Sequence, residues 1–216
     1  MSQPEQKDFA SLQGDLCYFE WGEAGEGPSI LLLHATGFHA RCWDKVVAAF
    51  PKETHVVAVD QLGHGRSAKP EITDWAIIAG ATTELVQSLG IKFAVAAGHS
   101  MGGHCLVQTA AALPDQIARL VLVDPVIMNR EAYQNPPDYS ATNHMVSKRR
   151  NSWAAPDEMF DRFKDRRPTA CGTLRCCAII ANMDCSLMEK EATSLLVRRK
   201  PRLRFMQQVH RLIPGH

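Results

Sequence analysis

Gly98-His99-Ser100-Met101-Gly102-Gly103 is the stretch on which the reading of this chain turns. It directly follows an apolar run at 93–97 and opens a stretch with helical spacing, so Ser100 stands where a buried strand gives way to a helix. The glycines around it leave room for a sharp turn in which the serine takes a strained backbone conformation and carries its hydroxyl clear of the sheet. Free N–H groups and the positive end of the following helix then face the atom that the hydroxyl attacks. Gly-x-Ser-x-Gly arises often by chance; the strand before it and the helix after it make this occurrence specific.

Outward from there, short apolar runs without alternation recur at 29–33, 55–59 and 120–123, the form of strands buried on both faces of a parallel sheet. An apolar and aromatic stretch at 16–21 reads as the opening strand, and 22–28 as a glycine-rich turn. Residues 73–89 have helical spacing: Asp74 is placed to cap them, and Trp75, Ile78, Leu85, Val86 and Leu89 share a face. Strand and helix alternate, which predicts an α/β fold with a mostly parallel sheet flanked by helices.

Two more segments carry chemistry. His34-Ala35-Thr36-Gly37-Phe38 follows the run at 29–33, where a glycine-containing loop can aim a backbone N–H at a developing oxyanion. Asp60-Gln61-Leu62-Gly63-His64-Gly65-Arg66-Ser67 closes the run at 55–59, with Asp60 read as the anchor of the 63–67 turn. His34 and His64 read as loop-fixing hydrogen bonders, and His99 and His104 as groups packed beside the serine.

In this order and spacing the three segments resemble the α/β-hydrolase fold family over roughly residues 10–168, and most of all its lid-bearing serine esterase and carbon–carbon-bond hydrolase branch. The resemblance implies that Ser100 attacks a carbonyl while the backbone N–H groups of Thr36 and Met101 hold the oxyanion. It implies a small-molecule substrate, a carboxylic ester or a related acyl or diketone compound. No cofactor and no metal are expected. Family members commonly have His-Gly where this chain has His34-Ala35. The dehalogenase and epoxide-hydrolase branches use an aspartate where this chain has Ser100, which disfavours both chemistries. Some relatives place the triad acid at the end of the strand at 120–123, so Asp124 is a candidate acid, or else a helix-capping or loop-fixing group.

The bulk numbers fit such an enzyme. A chain of 216 residues suits one domain, and 45% apolar against 22% charged residues is ordinary for a globular protein. A net charge of +1 gives no reason to expect nucleic-acid or membrane binding. The N-terminus has neither the basic start nor the apolar stretch of a secretion signal, so a cytoplasmic location is expected. Seven cysteines, irregularly spaced, read as reduced thiols. Cys171, Cys176, Cys177 and Cys185 crowd together, but without the Cys-x-x-Cys and histidine spacing of a zinc site.

The sequence divides into a hydrolase core at 1–124, a partial lid at 125–168 with a helix-like segment at 156–164, and an atypical tail at 169–216. That tail has eight Lys or Arg against three Asp or Glu, a charge of +5, which leaves −4 on residues 1–168. A triad needs an acid and a histidine after Ser100 in chain order. The tail shows no clear strand followed by an acid loop, and His144, His210 and His216 are the histidines left to test. Re-read one base out of frame, with wobble positions chosen freely, the tail from Thr169 gives text like the family's lid and meets no forced stop. The expectation is therefore an incomplete fold whose tail is out of frame. A catalytically inactive, truncated hydrolase is the competing expectation.

Overall fold

The computed structural model describes residues 3–127 and 129–131, with Ala154, Asp157, Glu158 and Asp161. Six strands, β1 (Glu5–Phe9), β2 (Leu16–Trp21), β3 (Ser29–Leu33), β4 (His55–Asp60), β5 (Phe93–His99) and β6 (Leu120–Val123), form one sheet in the order β1-β2-β4-β3-β5-β6. The pairs β1–β2 and β2–β4 are antiparallel; β4–β3, β3–β5 and β5–β6 are parallel. A 3-10 turn at Ala40–Trp43 leads into α1 (Asp44–Val47), followed by α2 (Trp75–Leu89) and α3 (Met101–Ala112).

The central strands lack polar alternation because both faces of the sheet are covered. On one face Leu31, Leu33, Val57 and Val59 pack with Ile78, Leu85 and Val86 of α2 and with Met101 and Leu106 of α3. On the other, Phe19, Leu32, Val56 and Ala58 pack with Ala40 and Val47. All six residues of β4 are buried. Removing each such aliphatic side chain from water stabilises the fold by about 1.5–3 kcal/mol, so the two layers fix which residue of each strand faces which helix.

The runs expected at 16–21, 29–33 and 120–123 coincide with β2, β3 and β6. β4 and β5 run on to Asp60 and His99, because those polar residues stay in register with Cys17 of β2 and Val123 of β6. β1 was not expected: Glu-Gln-Lys-Asp-Phe is polar and gives no strand signal, yet it pairs with residues 16–20 of β2, and Lys7 bonds Glu20 across the pair at 2.5 Å. At the opposite end, β6 is the last strand among the described residues, and its Val121 and Val123 are 49% and 45% exposed.

Of the helix expected at 156–164, Asp157, Glu158 and Asp161 are helical. The rest of that segment, Cys171, Cys176, Cys177, Cys185, His144, His210, His216 and the whole of 169–216 lie outside the described residues.

α2 starts where the sequence indicates. Asp74 has an extended backbone and its side chain accepts the Ala76 N–H at 2.8 Å; the helix closes at Gly90 with φ 63°. Replacing the cap by Asp74→Ala is expected to cost about 1 kcal/mol. This is read as a lower urea midpoint at unchanged denaturant slope; an unchanged midpoint would show that the cap contributes nothing.

Candidate active site

Ser100 is the residue between β5 and α3, with φ 52° and ψ −114°. Among the described residues only one other non-glycine, Asp124 (φ 44°), has a positive φ. Such a backbone costs on the order of 1–3 kcal/mol and persists only where its surroundings hold it. Here the Ser100 N–H donates to Val123 O (2.9 Å), and the Ser100 carbonyl accepts from His104 N (3.1 Å) and Val126 N (3.2 Å).

The glycines of the motif are set by backbone contact. A Cβ on Gly98 would lie 2.6 Å from Gly102 O. One on Gly102 would lie 2.5 Å from the carbonyl oxygens of both Leu33 and His34, and one on Gly103 would lie 2.9 Å from Pro125 Cβ. The start of α3 thus rests directly on the end of β3 and on the loop after β6.

That contact brings the loop after β3 beside Ser100. Phe38 N–H donates to Ala35 O at 3.1 Å, closing a turn with Thr36 and Gly37 at its centre; Gly37 has φ 81°, which glycine adopts without strain. His34 fastens the turn. Its Nδ1–H donates to Ala35 O (2.8 Å), its Nε2 accepts the Gln61 N–H (3.0 Å), and Gln61 Nε2 donates to His34 O (2.6 Å). The acceptor role of Nε2 requires neutral imidazole. Burial, reinforced by His64 nearby, holds His34 well below the ordinary histidine range. On the other side of Ser100, the Met101 N–H is the first of α3, one of those without an intrahelical acceptor.

The remaining residues singled out by sequence fall into place around this centre. Asp60 accepts from Ala40 N (2.6 Å) and Arg66 N (2.8 Å), and its carboxylate fills the space beside Gly65, so it anchors the 63–67 turn as expected. Its burial raises its carboxyl above the usual range despite those bonds. His64 Nδ1 bonds Leu62 O at 3.2 Å, and its ring meets the His34 ring edge-on at 5.2 Å. His104 is held at both ring nitrogens, by Val126 O (3.0 Å) and Gln108 Nε2 (2.6 Å). The His99 ring lies 6.3 Å from that of Phe38. Asp124 is exposed at the end of β6. Ser100, Thr36 and Asp124 therefore stand at the C-terminal ends of three adjacent parallel strands. Gln61, which locks His34, was not singled out by the sequence; an amide directly after the strand-ending Asp60 is the only local signal. Among the described residues no group of three or more His, Cys, Asp or Glu is arranged to hold a metal ion.

Two outcomes are expected. Gly102→Ala has backbone on both sides and should destabilise by about 3 kcal/mol, seen as a large drop in urea midpoint. For His34 the folded value lies below the unfolded one, so its contribution to stability is fully present above about pH 6.5 and is lost as pH falls below it. His34→Asn should flatten the acid side of the stability profile; an unchanged slope would contradict the assigned neutral state.

Comparison with known proteins agrees with this geometry. A model described as the alpha/beta hydrolase family matches residues 30–210. Lipase LipV of Mycobacterium tuberculosis is 38% identical over 52% of this chain and 42% of its own length. Monoacylglycerol lipase ABHD6 of Mus musculus is 35% identical over 50% of this chain and 34% of its own. The chain therefore spans less than half the length of these curated relatives. A thioesterase domain from the curacin biosynthetic pathway shares the fold, with a TM-score of 0.62 at 22% identity over 83% of this chain and 67% of that one. With its elbow serine, its glycine contacts and a family match over most of its length, the chain belongs to the alpha/beta hydrolase family.

Proposed function

We propose that the chain is a serine hydrolase of carboxylic esters or related acyl or diketone compounds, with Ser100 as nucleophile. The observation that carries this reading is the strained backbone of Ser100 at the strand-to-helix turn, packed against the loop that holds Thr36. The Ser100 hydroxyl attacks the acyl carbonyl, and the N–H groups of Thr36 and Met101 receive the oxyanion. A histidine takes the hydroxyl proton and passes it to the leaving alkoxide; water then releases the acyl group. Asp124 is the proposed orienting acid. That two relatives are named lipases supports ester substrates. A cytoplasmic setting with a small-molecule substrate completes the proposal. Among the described residues no helix is long and apolar enough to cross a membrane.

A specific observation favours a second reading, an inactive hydrolase chain. His104 is the one described histidine that follows Ser100, and both its ring nitrogens are engaged, Nδ1 with Val126 O of the loop after β6 and Nε2 with Gln108 of α3. None of the described histidines after Ser100 is then free to serve as the base, and His144, His210 and His216 lie outside the described residues.

A fluorophosphonate probe followed by peptide mapping tests the nucleophile, and hydrolysis of a short-chain aryl ester tests turnover. Labelling at Ser100, with turnover falling roughly 10³-fold or more in Ser100→Ala, is expected. Labelling without turnover would support the second reading. A folded protein that leaves Ser100 unlabelled would overturn the first.

A further inference from the structure

At the opposite end of the sheet, the N-terminal ends of β3 and β5 border a shallow cleft of about 600 Å³, lined by Gly27, Pro28, Ser29, Lys92 and Phe93 among others. Ser29 is its one hydroxyl-bearing lining residue, and Ser29 does not stand alone. Its Oγ lies 3.0 Å from His55 Nδ1; His55 Nε2 lies 2.7 Å from Glu20 Oε1; and Glu20 Oε2 bonds Lys7 Nζ at 2.5 Å. Register alone creates the group: Ser29 is the direct cross-strand partner of His55, and Glu20 is paired with Val57 on the neighbouring strand.

The partners of His55 select one tautomer. Burial works against the charge on Glu20, but the hydrogen bonds from Lys7 and His55 outweigh it and hold its carboxyl below the usual range. An ionised carboxylate only accepts, so the hydrogen on His55 sits at Nε2. In the tautomer with its hydrogen at Nε2, Nδ1 is the acceptor for the Ser29 O–H. A serine whose proton faces a ring nitrogen, with the ring held from behind by a carboxylate, has the activation geometry of an acyl-transfer nucleophile. The two ring nitrogens are exchanged relative to the usual arrangement. Lys92 is the one cation among the described lining residues.

We propose that Ser29, His55 and Glu20 form a second nucleophilic site, independent of Ser100, that accepts a small acyl group from an activated aryl ester entering this cleft. With 4-nitrophenyl acetate, a bond forms between Ser29 Oγ and the acetyl carbonyl carbon, and the bond from that carbon to the phenolic oxygen breaks. The 4-nitrophenolate leaves with the bonding pair. His55 Nδ1 takes the hydroxyl proton and returns it to water. Ser29 is 6% exposed, which restricts the donor to small acyl groups.

The full chain carrying Ser100→Ala is incubated with 4-nitrophenyl acetate and mapped by mass spectrometry. One acetyl group on Ser29 is expected, and none in the Ser29→Ala, Ser100→Ala double variant. His55 is fully buried and its replacement threatens the fold, so the positioning residue Glu20 is tested instead. Glu20→Gln should slow acetylation at least tenfold and displace its pH–rate profile, with thermal melting confirming an intact fold. Acetyl found only on Lys92 or other amines, or a Ser29 rate and pH profile unchanged in folded Glu20→Gln, would overturn the proposal. Because the assay is run without the Ser100 hydroxyl, its outcome does not depend on the reading of that residue.

Discussion

Gly102 touches the backbone of the neighbouring strand's end. With a hydrogen in place of a side chain, the first turn of α3 closes onto the carbonyls of Leu33 and His34, which a Cβ would meet at 2.5 Å. Nearly everything about the site follows from that approach. It forces the chain to turn sharply after β5, which places Ser100 at a positive φ. It also sets the loop after β3, and with it Thr36, against the start of α3. The cost of the strained serine is offset by its bonds to Val123, Val126 and His104, which tie the elbow to the end of β6.

A second constraint keeps the loop after β3 from relaxing away. His34 and Gln61 exchange two hydrogen bonds, while the other nitrogen of His34 reaches Ala35 within the same turn. The ring must stay neutral for the pattern to close, so the histidine holds loop geometry. Asp60 does the same for the 63–67 turn through its bonds to Ala40 and Arg66. Two of the motif's most reactive-looking side chains are thus spent on positioning.

Much of this was legible in the sequence because it is local. The Gly-x-Ser-x-Gly-Gly stretch, the loop at 34–38 and the cap at Asp74 each lie within a few residues, and strand-to-helix context identifies them. The runs at 16–21, 29–33 and 120–123 could be read because each is a short, nearly continuous apolar stretch with little alternation. β1 could not: as an edge strand it keeps Glu5, Lys7 and Asp8, whose charges hide the pairing. Groupings made by register were equally hidden. Ser29, His55 and Glu20 come from three strands, and only the alignment of those strands puts them in one chain of hydrogen bonds. Gln61 is invisible for the same reason, since its partner lies 27 residues earlier.

The most direct measurement of the central claim is a crystal structure of the chain after reaction with a small fluorophosphonate. The expected result is phosphorus bonded to Ser100 Oγ, with its phosphoryl oxygen within about 2.7–3.1 Å of both the Thr36 and the Met101 backbone N–H. Phosphorus bonded to Ser100 but with that oxygen turned to solvent, or an unmodified Ser100 in a correctly folded protein, would contradict it.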